Sequence, residues 1–327
     1  MPLNLLIKKA DNDGRLALIP EYLRTEWTIE VCDTDNAHDF ATKLARADAM
    51  VSMNWLPAFA RAARLRLLQL PGAGTDDITF HAVPSAASIC NVYEHEIGIS
   101  EYVLAAMLHW EIGIARLDQN LRGNDWTGSH LCGPCHGELY GKIVGIVGYG
   151  HIGREVARRA SAFGMRVIAC TRTPRPDACA EHVSGMGDLT QLLGTADFVV
   201  VALPLDPSTR GLIDASRLAQ MKSSAVIINI ARGAIIDEAA LFDACRRDTI
   251  GGAVIDTWYH YPKQGERAGA PSTLPFHQLR NVVMTPHASG WTEGLRPRRC
   301  KLMAENFNRL ARGEPLINVV RAGLSVA

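Results

Sequence analysis

Three polar side chains follow short apolar runs that the sequence predicts to be strands of one parallel sheet. Arg232, Asp256 and His287 each lie one to three residues beyond the end of such a run. We expect them to line one crevice, because doubly wound folds bind ligands at the carboxyl ends of their strands. A guanidinium can bind a carboxylate and a neighbouring carbonyl through paired hydrogen bonds. An imidazole with a pKa of about 6.5 can exchange a proton with a carbonyl oxygen. A lone histidine is more often a surface or core residue, but three polar groups at three strand ends favour a catalytic site.

A glycine motif follows another predicted strand and opens a predicted helix. It reads Gly148-Tyr-Gly150-His-Ile-Gly153. Gly148 permits a tight turn, Gly150 lets the backbone approach a pyrophosphate, and Gly153 lets the helix lie close to the sheet. Free N–H groups at the start of the helix can then bind the phosphates. The alternative is a turn without a ligand, but the strand before the motif and the helix after it favour a dinucleotide site.

The end of the next predicted strand indicates which dinucleotide binds. NAD sites carry an Asp or Glu about 20 residues beyond the motif, where it binds the ribose 2′-hydroxyl. This chain has Thr171 and Arg172 there, followed by Arg175, and no acidic residue among them. A carboxylate would repel a 2′-phosphate, whereas an arginine can bind it through charge-assisted hydrogen bonds. We therefore expect NADP(H) to be preferred. The alternative is that these arginines are solvated loop charges and that NAD(H) is used.

Two successive stretches of the chain, in which apolar strands alternate with helical segments, must position these residues. They predict an α/β protein with two doubly wound parallel sheets, one in each of two domains. The first alternation consists of strands Leu3–Ile7, Ala49–Ser52 and Leu67–Leu70 with helices His38–Ala47 and Leu56–Ala63. The second has six strands, Ile143–Val147, Met165–Cys170, Phe198–Leu203, Ala225–Ile230, Gly252–Ile255 and Asn281–Met284, with a helix at Ile152–Phe163. Two further helices are predicted at Glu101–Arg116 and Arg296–Arg312.

Length and composition agree with this architecture. The chain has 327 residues, of which 47% are hydrophobic and 21% charged, as is typical of a globular protein with about two domains. Its 34 basic and 34 acidic residues give no net charge, so we expect no nucleic-acid partner. We also expect no membrane segment, because there is no apolar run of about 18 residues. The eight cysteines are scattered and no export signal is recognised, which predicts reduced thiols in a cytoplasmic protein.

The chain resembles the D-isomer-specific 2-hydroxyacid dehydrogenases, the family that includes phosphoglycerate dehydrogenase and glyoxylate/hydroxypyruvate reductase. The resemblance covers nearly the whole chain, and the order and spacing of its motifs are specific. The matching segments are Pro71–Ile78, Glu101 in a long helix, Trp126 ahead of Glu138–Lys142, the glycine motif, Pro204–Leu205 with Thr209, Asn229–Gly233, Asp237, Asp256 and Pro286–His287.

This resemblance implies a domain organisation. A flavodoxin-like substrate domain would consist of residues 1–98 and 289–327, and a Rossmann cofactor domain of residues 99–288. Two copies would form a homodimer through the cofactor domain.

The resemblance also implies the roles of the site residues. Arg232 would bind the substrate carboxylate and carbonyl, and His287 would be the acid/base. The backbone of Ala73 and Gly74 would hold the carboxylate from the other domain. Asp256 would contact the nicotinamide carboxamide. The implied cofactor-binding residues are Gly148, Gly150, His151, Ile152, Gly153, Thr171, Arg172, Leu203, Pro204, Thr209, Ile230, Ala231, Asp256 and His287.

The predicted activity is hydride transfer between a nicotinamide and a small D-2-hydroxy or 2-keto acid, of the glyoxylate or hydroxypyruvate type. One alternative is a nucleotide-sensing protein that kept the fold and little catalysis. Another is a dehydrogenase with a non-carbonyl hydride donor, as in the formate and phosphite dehydrogenases of the same superfamily.

The chain departs from the family pattern at one position. The family has a Glu just before a Pro, a few residues after the Asp of the strand, and this Glu holds the catalytic histidine and raises its pKa. Here Tyr261 precedes Pro262. A phenol can hydrogen-bond an imidazole but is uncharged near neutral pH, so we expect the pKa of His287 to lie near or below about 6.5.

Two other clusters match short functional patterns. Cys132-Gly-Pro-Cys135-His136 has the spacing of redox and haem-attachment motifs, but it lies in a predicted loop. Tyr93–Glu96 places a histidine between two carboxylates, with nothing nearby to complete a metal ligand set. We expect no metal, haem or redox site at either cluster. The segment Tyr93–Glu96 could instead shape the substrate pocket.

Overall fold

The chain forms two compact units, each built around one sheet. The structure, a computed structural model, describes residues 2–8, 14, 16–33, 36–55, 62, 64–75, 77–263 and 266–324. One unit comprises Met1–Glu94 with Thr292–Ala327, and the other is His95–Trp291. Residues 56–61 and 63, which carry most of the helix predicted at Leu56–Ala63, lie outside the described residues.

The first unit contains a six-stranded sheet. Its strands are β1 (Leu3–Lys8), β2 (Trp27–Cys32), β3 (Ala49–Val51), β4 (Leu67–Gln69), β5 (Ser88–Cys90) and β13 (Val319–Arg321), in the order β13-β5-β4-β3-β1-β2. Its helices are α1 (Ile19–Tyr22), α2 (Ala37–Arg46) and α9 (Leu295–Arg312). Strands β1 to β5 pair in parallel as predicted, and β13 pairs with β5 in the antiparallel direction. The prediction missed the two edge strands β2 and β13, which are largely half-buried or exposed, and the three-residue strand β5.

The second unit contains a seven-stranded sheet in which every pair is parallel. Its strands are β6 (Ile143–Val147), β7 (Arg166–Cys170), β8 (His182–Ser184), β9 (Phe198–Val201), β10 (Val226–Asn229), β11 (Gly252–Ile255) and β12 (Val282–Met284), in the order β12-β11-β10-β9-β6-β7-β8. Its helices are α3 (Glu96–Ile112), α4 (Ile114–Arg122), α5 (His151–Ala162), α6 (Leu189–Thr195), α7 (Ala215–Leu218) and α8 (Glu238–Arg246). The predicted count of six strands is wrong, because β8 is a short, partly exposed edge strand. The strand order reverses between β6 and β9, which is the switch point where doubly wound sheets bind ligands.

Both faces of the second sheet are buried. Along β9, Phe198 and Val200 belong to one apolar cluster, and Val199 and Val201 belong to the cluster on the other face. A strand covered by helices on both sides therefore reads as a continuous apolar run, which is why this part of the sheet was predictable.

The helix predicted at Glu101–Arg116 is two helices. Helix α3 ends at Gly113, whose φ of +66° lies in the left-handed region, and α4 begins directly after it. A residue with this conformation closes a helix, and glycine adopts it at the least steric cost. No helix in the described part of the chain is long and apolar enough to cross a bilayer.

Two polar side chains attach α9 and β13 to the rest of the first unit. Asn306, which is fully buried, donates to Gln69 Oε1 at 2.8 Å and accepts from the Ile317 N–H at 2.7 Å. The guanidinium of Arg321 donates to four backbone carbonyls at 2.7–3.2 Å, those of Phe80, Val83, Pro84 and Ala87.

Candidate active site

The glycine motif forms an open turn between β6 and α5. Gly148 has a φ of +105°, and a Cβ there would lie 2.6 Å from Ala202 O. A Cβ on Gly153 would collide with Gly148 O, whereas one on Gly150 would meet no atom within 4 Å. The first and third glycines therefore permit close packing, and the second leaves the backbone open to a ligand.

Helix α5 begins at this turn without a side-chain cap. Gly150 is its N-cap, and its first turn carries no acidic residue. His151 is exposed and Ile152 is half-buried. The N–H groups of the first turn and the positive end of the helix dipole suit an anion such as a pyrophosphate, so this turn fits the dinucleotide that the motif predicts.

The end of β7 carries Thr171 and Arg172 beside the loop that follows β9. Arg172 Nη1 lies 3.4 Å from Asp206 Oδ2. Asp206 was not predicted from the sequence, because its partner is 34 residues away along the chain.

The same loop after β9 contains three predicted cofactor residues. Leu203 and Thr209 are buried. The Thr209 hydroxyl donates to Pro204 O at 2.8 Å and accepts from the Asp206 N–H at 2.8 Å. Thr209 therefore shapes this turn through its side chain.

Arg232 lies at the end of β10, as predicted. The Asn229 side chain donates to Arg232 O at 3.1 Å and accepts from the Ala231 N–H at 3.1 Å, which fixes the backbone of this loop. Ile230 and Ala231 are buried, and Arg232 is half-buried with its Nη1 2.8 Å from Ala231 O. A Cβ on Gly233 would meet Trp258 O at 2.5 Å, so the loop needs glycine at that position.

The Asp256 carboxylate is fully buried at the end of β11 and holds the loop that follows β12. It accepts hydrogen bonds from the Thr285 hydroxyl at 2.6 Å, the Ala288 N–H at 2.9 Å and the Ser289 N–H at 3.0 Å. Since Thr285 donates to Asp256, Tyr102 on α3 donates to Thr285 across 2.7 Å. Sequence reasoning missed Tyr102 and Thr285, because neither lies in a recognisable motif.

His287 is held by this loop in a conformation that few side chains adopt. Its φ is +55°, and its N–H donates to Asp256 O at 2.8 Å. A left-handed conformation costs a non-glycine residue free energy and persists only where the surroundings enforce it. The hydrogen bonds to Asp256 on either side of His287 supply that constraint.

Tyr261 contacts the imidazole of His287. Its hydroxyl oxygen lies 3.0 Å from His287 Nδ1 and accepts from the Trp258 N–H at 3.1 Å. Because the oxygen already accepts from Trp258, the Tyr261 hydroxyl can donate to Nδ1 when the ring is neutral, which places the imidazole proton on Nε2.

The surrounding groups lower the pKa of His287. Partial desolvation lowers it from the ordinary value, the Asp256 carboxylate opposes this shift, and the positive charge of Arg232 adds to it. Partial desolvation also raises the pKa of Tyr261, so the phenol is neutral at physiological pH. This agrees with the low pKa expected for His287 from the missing Glu.

The remaining predicted residues lie outside this cluster. Ala73 and Gly74 follow β4 in the other unit, where the Asn91 side chain donates to Ala73 O at 3.0 Å. Their contact with the substrate of Arg232 stays a prediction. Cys132 and Cys135 are exposed free cysteines in the loop before β6. In the described part of the chain, no three His, Cys, Asp or Glu side chains are grouped to hold a metal ion.

Comparisons with known proteins give the family. The family model "D-isomer specific 2-hydroxyacid dehydrogenase, NAD binding domain" matches residues 104–289. Glyoxylate reductase of Pyrococcus furiosus is 30% identical over 305 residues, covering 89% of this chain and 88% of the relative. D-3-phosphoglycerate dehydrogenase of Methanocaldococcus jannaschii is 31% identical over 299 residues, covering 89% of this chain and 55% of the relative. This chain thus spans about half the length of the curated D-3-phosphoglycerate dehydrogenases that it matches.

A solved structure agrees over the whole chain. The D-isomer specific 2-hydroxyacid dehydrogenase of Xanthobacter autotrophicus Py2, in complex with NADPH and MES, is 25% identical, covers 98% of both chains and has a TM-score of 0.81. The chain belongs to the D-isomer-specific 2-hydroxyacid dehydrogenase family, and its two α/β units with parallel sheets confirm the predicted fold class.

Proposed function

We propose that this protein is an NADP(H)-preferring oxidoreductase that reduces small 2-keto acids to D-2-hydroxy acids. One observation carries the proposal. Arg232, Asp256 and His287 stand at the ends of three adjacent strands, β10, β11 and β12, in the sheet that also carries the open glycine turn. The similarity to a glyoxylate reductase supports a small 2-keto acid such as glyoxylate as substrate.

The cofactor would be held by the glycine turn and by the ends of β7 and β9. The N–H groups at the start of α5 suit the pyrophosphate, and Thr171 with Arg172 suits a 2′-phosphate. The NADPH found with the Xanthobacter autotrophicus relative supports the same preference. Leu203, Pro204, Ile230 and Ala231 would border the cofactor. When bound, the nicotinamide supplies the hydride that adds to the keto carbon.

The chain supplies binding, orientation and a proton. Arg232 binds the substrate carboxylate and carbonyl through its planar fork and stabilises the oxyanion that develops on reduction. His287 gives its Nε2 proton to that oxygen. Asp256 keeps His287 in place through the loop backbone. We propose the nicotinamide carboxamide as a further partner of Asp256. We propose the backbone of Ala73 and Gly74 as a second holder of the substrate carboxylate.

Tyr261 lets the imidazole take either charge state. Toward the neutral ring with its proton on Nε2, the Tyr261 hydroxyl donates to Nδ1. Toward the imidazolium, and toward the neutral ring left once Nε2 has given its proton to the substrate, the Tyr261 oxygen accepts from Nδ1–H while its own proton turns to water. The Tyr261 side chain is about half exposed, so water can reach the hydroxyl. A neutral phenol stabilises the imidazolium less than a carboxylate would, so reduction is favoured at lower pH.

A single-turnover experiment tests the proposal. Enzyme saturated with NADPH is mixed with glyoxylate or hydroxypyruvate, and the loss of reduced-nicotinamide absorbance is followed. We expect full oxidation of the bound NADPH in wild type. The Arg232→Lys variant keeps the charge but loses the fork, so we expect a loss of about a hundredfold or more in rate with nearly unchanged NADPH affinity.

Two other outcomes would favour a different function, and a third would contradict the role of Arg232. Tight NADPH binding without turnover would favour the nucleotide-sensing protein, for which the absence of the family Glu is the supporting observation. Formation of NADPH from NADP+ with formate or phosphite would favour a non-carbonyl hydride donor. Wild-type rates in Arg232→Lys would remove Arg232 from its role.

We further propose a cytoplasmic homodimer, with residues 1–98 and 289–327 as the substrate domain. The segment 114–140 of the cofactor unit contains five large apolar side chains that are exposed at 51–76% of their surface, Ile114, Leu121, Trp126, Leu131 and Tyr140. Exposed apolar side chains that form one patch are typical of a protein–protein interface, and we propose this segment as that interface.

A further inference from the structure

The ion pair between Arg172 and Asp206 spans the carboxyl-terminal ends of two strands in the second sheet, where the cofactor would bind. Arg172 follows β7 and Asp206 follows β9, and these two strands lie on either side of β6. Adjacent strands are about 4.8 Å apart, so the two strand ends are separated by about 10 Å. The Arg172 side chain bridges this distance at the end of β6, where the glycine turn begins.

The Asp206 carboxylate is oriented toward Arg172 by its own turn. Its Oδ1 accepts from the Ser208 N–H at 2.8 Å, the Ser208 hydroxyl at 2.5 Å and the Thr209 N–H at 3.1 Å. Its Oδ2 is left to face Arg172. These bonds, chiefly the one from the Ser208 hydroxyl, lower the pKa of Asp206, so the group is ionised at physiological pH.

A 2′-phosphate and the Asp206 carboxylate would compete for the same guanidinium. Arg172 is largely exposed and its contact with Asp206 is long, so the pair is weak enough to open. NAD(H) carries a 2′-hydroxyl and leaves the pair intact. On the basis of the proposed NADP(H) binding, we propose that Asp206 is a specificity-determining residue. In the absence of a 2′-phosphate, Asp206 pairs with Arg172. NADP(H) must break this pair to bind and NAD(H) need not, so the pair reduces the preference for NADP(H) over NAD(H).

Nucleotide binding to Asp206→Asn tests this inference without relying on catalysis. Asparagine keeps an oxygen that caps the turn and removes the charge. Isothermal titration with 2′,5′-ADP and with 5′-AMP separates the 2′-phosphate from the rest of the nucleotide. We expect Asp206→Asn to bind 2′,5′-ADP about threefold to tenfold more tightly than wild type, since one partly exposed charge is removed. Binding of 5′-AMP should not change.

Two comparison variants isolate the role of the pair. Asp243 on α8 also pairs with arginines, Arg246 and Arg247, so Asp243→Asn changes the net charge equally away from the strand ends. It should alter neither affinity. In an Arg172→Ala background the gain from Asp206→Asn should shrink, because no guanidinium is released.

Three results would overturn the inference while leaving the proposed function intact. These are an unchanged 2′,5′-ADP affinity in Asp206→Asn, an equal gain for both nucleotides, and a gain of the same size in the Arg172→Ala background. A wild-type protein that binds neither nucleotide would contradict the proposed function together with this inference.

Discussion

His287 combines a constrained backbone with an unusual partner. The loop around it is fixed by the buried Asp256, and its imidazole meets the neutral hydroxyl of Tyr261 rather than a carboxylate. Asp256 fixes the position of the ring through the loop backbone. The pKa of the ring is lowered by partial desolvation and by the charge of Arg232, with the Asp256 carboxylate opposing the shift, and the neutral Tyr261 adds no charge that would raise it.

The lowered pKa of His287 predicts how the rate of reduction depends on pH. His287 must be protonated to act as an acid, and its pKa lies below the ordinary value of about 6.5. The rate of keto-acid reduction should therefore fall as pH rises through that lowered pKa. Tyr261→Glu adds an opposite charge beside the imidazole, so the falling limb should move to higher pH by about one unit. Single-turnover rates measured across pH check this shift.

Tyr261→Phe is the matched control for that experiment. It removes the hydrogen bond without adding charge, so the rate should fall at every pH with no shift to higher pH. His287→Ala should lose activity throughout. Superimposable profiles for wild type and Tyr261→Glu would show that a charge at this position does not change the acidity of His287.

At the level of elements, strand ends bring together side chains that are distant along the chain. Arg232, Asp256 and His287 span more than fifty residues but follow three adjacent strands. In the other unit, β13 is a short antiparallel edge strand, which backbone pairing alone secures weakly. The side chain of Arg321 adds four hydrogen bonds to this attachment.

Replacement of Arg321 by lysine should destabilise the first unit. The guanidinium donates hydrogen bonds to four carbonyls at once, and a single ammonium cannot reach all of them. We expect the free energy of unfolding to fall by about 1–3 kcal/mol, the cost of leaving partly buried carbonyls unpaired. Urea denaturation measures this change.

Arg312→Lys is the corresponding surface control. Arg312 lies 3.9 Å from Glu314 in an exposed pair, so its replacement should change the free energy of unfolding by less than about 0.5 kcal/mol. Equal stability losses in the two variants would mean that the carbonyl contacts of Arg321 contribute nothing specific.

At the scale of the whole molecule, the exposed apolar side chains around Trp126 predict self-association. Trp126→Asp would place a charge in that interface, so we expect a dimer in wild type and a shift toward monomer in the variant. Light scattering coupled to size-exclusion chromatography measures both masses. Leu324→Asp changes an equally exposed apolar residue in the other unit and should leave the dimer intact. A monomeric wild type would contradict the proposed interface.

The sequence by itself determined the family, the fold class and the strands of the cofactor unit that run through its centre. Those strands are buried on both faces, so their apolar runs are continuous, and the glycine motif has fixed spacing. Residues that act through local backbone geometry, such as Gly148 and Gly150, were recognisable for the same reason.

Tertiary structure decided the partners of those residues. The contacts of Tyr102 with Thr285, Arg172 with Asp206 and Arg321 with the carbonyls of residues 80–87 join segments far apart along the chain. Short edge strands such as β8 and β13 escaped prediction because they are partly exposed and give no continuous apolar run, and pairing with a neighbour determines their conformation. The division of α3 from α4 at Gly113 was likewise missed, because glycine within an apolar helical pattern closes a helix only when its backbone turns left-handed.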